Sequence, residues 1–167
     1  MATDLMRLHP KAVADREKGE ILAIADIDAP AERIFNALIS KEVETWWGSP
    51  DVYTVRNWTA DLRVGGKWSL SVVRPDGSSL PASGEFIEID APHRIVMTRR
   101  YDWDYPILGR RETKVTYLLD SIENGTRVTI RHEGFAGCTQ AAYDHAEGWE
   151  RYLGWLSDYV TPKSGGE

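Results

Sequence analysis

The sequence predicts an α+β domain in which a curved antiparallel sheet of about seven strands packs against a long C-terminal helix. Two observations predict this class. The segments between residues 52 and 135 alternate apolar and polar side chains and are separated by short turns, which is typical of an antiparallel meander. Residues 145–160, HAEGWERYLGWLSDYV, instead place their apolar side chains at helical spacing. The length of 167 residues is that of one domain.

Composition and charge limit the classes of function. Hydrophobic residues make up 42% of the chain, which is enough to bury a core. The formal net charge of −6 argues against a nucleic-acid-binding protein, since such a protein needs a basic face. Cys138 is the one cysteine, which excludes an intramolecular disulfide and a thiolate zinc site. We find neither a signal peptide nor a membrane span, and we expect a cytoplasmic protein.

The elements at the start of the chain follow from local patterns. Residues 1–17 are polar and weakly patterned, and we expect a loose arm or a short helix there. GEILAIADIDAP alternates and predicts the first strand. DAPAERIFNALIS then shows an apolar stripe with an early proline, which predicts a helix, and KEVETWW predicts a second, shorter one. We place the domain at residues 18–161 and a frayed tail at 162–167.

The middle of the chain predicts six strands. They are expected over VYTVRNWTADL, GKWSLSVVR, SGEFIEID, HRIVMTRRYDW, ETKVTYLLDSI and TRVTIRHEGF. RVGG predicts a bend and RPDGSS a tight turn. ENGT predicts a hairpin turn, because Asn-Gly is the strongest short hairpin signal. The charged stretch YDWDYPILGRRE either shapes the mouth of a cavity or is an exposed loop.

The C-terminal helix presents one apolar stripe and an aromatic flank. The stripe consists of Ala142, Ala146, Trp149, Leu153, Leu156 and Val160. Each of the two glycines in this helix costs about 1 kcal/mol relative to alanine. Gly148 lies on the flank beside Tyr152, where it allows either close packing against a large sheet side chain such as Trp68, which we prefer, or contact with a ligand. For Gly154 the pattern suggests only a bend.

His132 and Arg99 are the polar candidates for the space between sheet and helix. His132 shares the phase of Val128 and Ile130 and should face the helix with them, either contacting a ligand or acting as a base. The preferred alternative is a structural histidine satisfied by Tyr117 or by backbone groups.

Arg99 and Arg100 are neighbours on one strand, so one of them should face inward. A buried arginine needs an acidic partner or an anionic ligand. A salt bridge to Glu85 or Glu88 is slightly preferred, and a carboxylate ligand held by Arg99 is the alternative.

Aromatic residues supply the expected walls of the cavity. We expect the walls to be formed by Trp58, Trp68, Tyr101, Tyr117 and Trp149. The sequence contains no GxSxG elbow, no HExxH motif and no paired-histidine metal spacing. We therefore predict no catalytic residue, no metal and no cofactor.

Seven stretches of the chain resemble, in order, bacterial homologues of the C-terminal domain of the heat-shock-protein-90 ATPase activator, of the SRPBCC or START-like superfamily. They are IDAPAERIFNAL, WWG, DLRVGGKW, PDG, GEFIEIDAPHRIV, GTRVTIRHEGF and GWERYLGWL. The resemblance implies a helix-grip fold, with a seven-stranded sheet wrapped around the C-terminal helix and two small helices closing one end. Several branches of the superfamily bind lipids, sterols, hormones or polyketides, and some cyclise or hydrolyse their ligands.

Three functions follow as hypotheses. The first is binding of a small hydrophobic or aromatic molecule between sheet and helix, by a carrier, a sensor or a holder of an intermediate. The second is a cyclase or hydrolase in which His132, Tyr117 or an acidic residue moves a proton. The third, implied by the resemblance, is a co-chaperone-like interaction module with an exposed apolar patch and a closed cavity. The resemblance also allows a homodimer and a chaperone partner.

Overall fold

The computed structural model describes residues 7–162, and within them the chain forms nine strands and three helices. In chain order the elements are β1 (Lys11–Asp15), β2 (Glu20–Ile27), α1 (Ala31–Ile39), α2 (Val43–Trp46), β3 (Gly48–Ser49), β4 (Tyr53–Ala60), β5 (Lys67–Val73), β6 (Ser79–Asp90), β7 (Arg94–Tyr101), β8 (Thr113–Ile122), β9 (Gly125–Glu133) and α3 (Thr139–Val160). The predictions for residues 1–6 and 163–167 lie outside the described residues.

All the strands belong to one antiparallel sheet in the order β1-β2-β9-β8-β7-β6-β5-β4-β3. Neighbours in this order follow each other in the chain except at β2, which pairs with β9. This pairing joins the start of the domain to its end, with α1 and α2 in the connection between β2 and β3. The α+β class and the helix-grip architecture are thereby confirmed.

Two strands exceed the predicted number. The two-residue β3 pairs only with the start of β4. β1 occupies residues 11–15, where we expected a loose arm or a short helix, and that expectation is wrong for these residues. The five residues of β1 are too few for a convincing alternation, and their extended form comes from pairing with β2, for example Val13 with Leu22.

Two predicted turns have the expected backbone conformations. Asn124, in the turn between β8 and β9, has a φ of 63°, which asparagine tolerates better than most residues. Gly65, in the bend between β4 and β5, has a φ of 85°, which explains why the RVGG stretch needs glycine.

Helix α3 confirms the predicted stripe, since all six of its members are buried. The opposite face, with Glu147, Arg151 and Asp158, is exposed. The helix packs against β1, β2 and α1. No helix within the described residues has the length and apolarity that crossing a membrane requires.

Adjacent positions on α3 should respond to alanine in opposite directions. Leu153 is completely buried, and Leu153→Ala is expected to lower the free energy of unfolding by about 2–5 kcal/mol. A Cβ added at Gly154 would meet nothing within 4 Å. Gly154→Ala should therefore raise the free energy of unfolding by about 1 kcal/mol, because alanine has a better helix propensity than glycine. Urea unfolding of both variants measures the two changes. A loss of stability in Gly154→Ala would contradict this account of the site.

Candidate functional site

A cavity of about 500 Å³ lies between the sheet, the N-terminal half of α3 and the loop that follows β7. This volume is within the range of small-molecule sites in proteins. Seven aromatic side chains line it, namely Trp47, Tyr53, Tyr101, Trp103, Tyr105, Trp149 and Tyr152. Val52, Val72 and Leu80 add aliphatic surface. The cavity is therefore mostly apolar, with a strong aromatic contribution.

The inner wall is formed by aromatic rings that pack edge to face. The Tyr152 ring lies 4.9 Å from the Trp47 ring and 4.8 Å from the Trp149 ring, at interplanar angles of 88° and 76°. Tyr152 also meets the hydroxyl of Tyr117 at 3.3 Å, and Tyr117 lies behind it in the core. Such contacts fix the ring orientations, and the wall is well defined before any ligand enters.

Arg99 brings a positive charge to this apolar wall. Its Cζ atom lies 5.6 Å from the centre of the Trp47 ring, 5.6 Å from that of Trp149 and 5.8 Å from that of Tyr101. Its Nε atom is buried and has no hydrogen-bond partner. The three aromatic faces stabilise the cation, but they leave the N–H donors of the guanidinium without strong acceptors.

The preferred salt bridge for Arg99 is wrong. Glu85 instead pairs with Lys67 at 2.6 Å, and Glu88 pairs with Arg94 at 2.7 Å. Within residues 7–162 no carboxylate lies at ion-pair distance from Arg99. Both glutamates have nearer cations on the outer surface of the sheet, which leaves the alternative of an anionic ligand at Arg99 open.

Trp103 supplies a second unused donor at the cavity. Its indole Nε1 is buried and has no hydrogen-bond partner among the described residues. Its ring lies 5.6 Å from that of Tyr101, which follows Arg99 by two residues at the end of β7. The loop that carries Trp103 and Tyr105 is the charged stretch after β7, and these two residues show that it shapes the cavity.

His132 is held by a directed chain of hydrogen bonds behind the wall. Trp149 donates its Nε1–H to His132 Nδ1 at 3.1 Å, which makes that nitrogen an acceptor. In the neutral ring the proton is therefore on Nε2, which donates to the Thr113 hydroxyl at 2.8 Å. Thr113 donates in turn to the backbone carbonyl of Arg99 at 2.9 Å. His132 is thus structural, as preferred, although its partners differ from those expected.

Tyr101 and His145 form a second directed pair, on the cavity surface. His145 Nδ1 lies 2.7 Å from the carbonyl of Ala141, which can only accept, so this nitrogen carries the proton. His145 Nε2 then accepts from the Tyr101 hydroxyl at 2.7 Å. The Tyr101 proton is consequently committed to His145. The sequence excluded a pair between His145 and Asp144, and it gave no sign of this contact with Tyr101.

Both histidines are kept neutral by their surroundings. Burial lowers the pKa of His132 well below 6.5, and the nearby His145 and Arg99 lower it further. Burial and the charge of Arg99 lower the pKa of His145 to about 4, against a smaller opposing effect of the Ala141 carbonyl. Neither imidazole carries a proton beyond its neutral form near pH 7.

The structure brings half of the predicted site residues to the cavity. Arg99, Tyr101, Gly148 and Trp149 line it, and Trp58, Trp68, Tyr117 and His132 do not. The rings of Trp58 and Trp68 stack on each other at 5.9 Å. Tyr117 and His132 face the correct side of the sheet but lie behind the aromatic wall.

Gly148 does not pack against Trp68, contrary to the preferred interpretation. A Cβ added at Gly148 would meet nothing within 4 Å, and the residue lines the cavity. The glycine beneath Trp68 is Gly84 of β6, opposite Trp68 in the strand pair, where a Cβ would come within 2.6 Å of the Trp68 Nε1. Gly148 therefore leaves room in the cavity, and nothing in the structure explains Gly154.

Trp47, Tyr53, Trp103, Tyr105, His145 and Tyr152 line the cavity without having been predicted. For Tyr152 a signal existed, because it lies on the aromatic flank of α3. Trp47 directly follows Trp46, the last residue of α2, and both rings pack edge to face against Tyr152. In the structure Trp46 donates to the Ala37 carbonyl within the core, and Trp47 faces the cavity.

The described residues contain no cluster of three or more His, Cys, Asp or Glu side chains that could hold a metal ion. The cavity wall presents Arg99, aromatic rings and the neutral His145, and five exposed charged residues also line the cavity, namely Asp51, Arg74, Asp144, Glu147 and Arg151. They can bind an apolar molecule and offer it hydrogen-bond donors.

Residues 28–161 match the sequence model of the family described as Activator of Hsp90 ATPase homolog 1-like protein. The resemblance found in the sequence motifs is confirmed by this match. None of the curated proteins compared with the chain matches it.

Several solved structures share the fold. A protein from Chromobacterium violaceum aligns with a TM-score of 0.77 and 23% identity, covering 87% of this chain and 99% of that chain. A protein from Mycobacterium smegmatis gives a TM-score of 0.77 and 21% identity, covering 92% of this chain and 97% of that chain. The AHSA1-like protein from Aeromonas hydrophila gives a TM-score of 0.67 and 21% identity, covering 84% of this chain and 91% of that chain. At such identities the likeness concerns the fold alone.

The two buried histidines should make stability depend on pH between 7 and 5. Their pKa values are lowered in the folded protein, so below about 6.5 the unfolded chain takes up protons at these positions and the folded chain does not. The free energy of unfolding should therefore fall as the pH falls, which urea unfolding at a series of pH values measures.

A variant separates this effect from general acid sensitivity. His132→Gln cannot titrate and should flatten the dependence, whatever its stability at pH 7. His9→Gln makes the same substitution at an exposed position and serves as the control. An unchanged slope in His132→Gln would show that His132 does not contribute.

Proposed function

This chain belongs to the family of Activator of Hsp90 ATPase homolog 1-like proteins, and from its cavity we propose that it binds a small hydrophobic or aromatic molecule between the sheet and the C-terminal helix. The observation that carries the proposal is a cavity of about 500 Å³ whose lining includes seven aromatic side chains. An apolar cavity with a few polar groups is the usual form of a small-molecule site.

Gly148 supports the same proposal. A helix normally gains about 1 kcal/mol from alanine in place of glycine at an interior position. Steric crowding does not account for the glycine, because a Cβ would meet no atom within 4 Å. A larger side chain would instead take up part of the cavity. The helix thus keeps a residue of low propensity where it faces the space for a ligand.

The alternatives receive less support. The enzyme hypothesis named His132, Tyr117 or an acidic residue as the group that moves a proton. His132 and Tyr117 lie behind the aromatic wall, and both ring nitrogens of His132 are hydrogen-bonded within the protein. The acids that line the cavity, Asp51, Asp144 and Glu147, are exposed. The co-chaperone hypothesis expected a closed cavity, whereas exposed side chains such as Asp51 and Glu147 are part of the lining. A carrier, a sensor and a holder of an intermediate are all compatible with binding at this site.

An uncharged fluorescent probe tests the proposal. N-phenyl-1-naphthylamine, whose emission rises in apolar surroundings, should bind the wild-type protein with a stoichiometry near one. Gly148→Leu places a side chain in the cavity and should weaken this binding by about tenfold or more. Gly154→Leu is the matched control, because it changes a glycine of the same helix that does not line the cavity. It should bind the probe as the wild type does.

Native mass spectrometry of the freshly purified protein complements the titration. A molecule of low mass that accompanies the wild type and Gly154→Leu, but not Gly148→Leu, would identify the class of natural ligand. Probe binding that is absent in the wild type, or equal in Gly148→Leu and the wild type, would overturn the proposal.

A further inference from the structure

We propose that the molecule bound in this cavity is an anion, a carboxylate on an apolar body, and that Arg99 binds the carboxylate. The inference deepens the proposed function and rests on it, because it requires that the cavity hold a small molecule. It is carried by Arg99, a cation whose buried Nε has no partner and whose guanidinium lies among the aromatic rings of the cavity wall.

The guanidinium of Arg99 can donate hydrogen bonds for which the described residues provide no acceptor. Its Cζ lies over the rings of Trp47, Trp149 and Tyr101, 5.6–5.8 Å from the three ring centres. Aromatic faces attract the cation but do not satisfy its five N–H donors. Nε is buried without a partner, which is a costly state for a charged group. A bound anion would remove that cost.

The acidic residues on the cavity lining do not serve as its counterion. Asp51, Asp144 and Glu147 are exposed, and Glu147 pairs with Arg151 at 3.0 Å. No carboxylate of the described chain lies at ion-pair distance from Arg99. Within the part of the chain that is described, the charge of Arg99 is therefore not neutralised.

A carboxylate fits these surroundings better than a phosphate. Arginine binds both groups through two parallel hydrogen bonds. Besides Arg99, the lining carries three exposed acids, Asp51, Asp144 and Glu147, and two exposed arginines, Arg74 and Arg151. These five side chains leave an excess of one negative charge, which disfavours a ligand group with two negative charges. A single negative charge on an aromatic body matches Arg99 and the aromatic rings around it. The Tyr101 hydroxyl donates its proton to His145, so it is not available as a hydrogen-bond donor to the carboxylate. Trp103 Nε1 offers a separate donor to a further acceptor on the ligand.

A matched pair of small molecules tests the inference on the wild-type protein. Naphthalene-2-carboxylate and 2-naphthalenemethanol have the same ring system, and only the first is charged. Both should displace N-phenyl-1-naphthylamine at pH 7.5, and the carboxylate should bind about tenfold or more tightly than the alcohol. A carboxylate that binds no more tightly than the alcohol would overturn the inference, while displacement by both would still support the proposed function.

Variants assign the preference to Arg99. Arg99→Met keeps an unbranched side chain without the charge and should lower the ratio of carboxylate affinity to alcohol affinity by about tenfold. Arg100→Met is the matched control, since Arg100 is exposed and pairs with Asp102 at 2.9 Å. Arg99→Lys keeps the charge but loses the planar fork, and it should lie between wild type and Arg99→Met.

The readouts separate the two proposals. If the wild type fails to bind the uncharged probe, the proposed function fails. If Arg99→Met still binds the carboxylate about tenfold more tightly than the alcohol, the cavity is a ligand site but Arg99 does not select the anion. Circular dichroism and a cooperative thermal unfolding transition show that Arg99→Met is folded.

Discussion

Four elements around the cavity are joined by a single series of hydrogen bonds that passes through His132. It begins at the Trp149 indole on α3, crosses His132 on β9 and Thr113 on β8, and ends at the backbone carbonyl of Arg99 on β7. Each donor and acceptor in the series has one assignment when His132 is neutral. A protonated His132 would present a second N–H to Trp149, which can only donate. The neutral state of His132 therefore holds in place both the Trp149 indole and, through Thr113, the backbone of Arg99.

The same arrangement explains how an arginine is tolerated in an apolar wall. Its backbone is held by Thr113, and its side chain is surrounded by three aromatic rings whose orientations are set by contacts such as that of Trp149 with Tyr152. Cation–π attraction contributes about 0.5–2 kcal/mol per contact and offsets part of the desolvation of the charge. It does not replace hydrogen bonds to the N–H groups. The site is thus organised around the cation while its hydrogen-bonding capacity stays unused.

Local patterns were sufficient for most of the fold, because alternation along a strand and the stripe of α3 are set by neighbouring residues. The same logic placed Arg99, since two adjacent arginines on a strand cannot both face the solvent. It could not tell which inward-facing residue reaches the cavity. Tyr117 has the correct phase but lies beneath Tyr152, and Trp58 and Trp68 stack together, beside a bulge in β4. The loop aromatics Trp103 and Tyr105 have no periodicity that could have revealed them.

The two glycines of α3 show how a similar sequence signal can have different structural contexts. Both weaken the helix by about the same amount, and at neither would a Cβ meet another atom within 4 Å. Only Gly148 lines the cavity, one residue before Trp149 and four before Tyr152. A side chain there would occupy space between the aromatic wall and the loop after β7, without any clash that would destabilise the fold. Helix stability therefore favours a larger residue at this position, whereas the open volume of the cavity favours glycine.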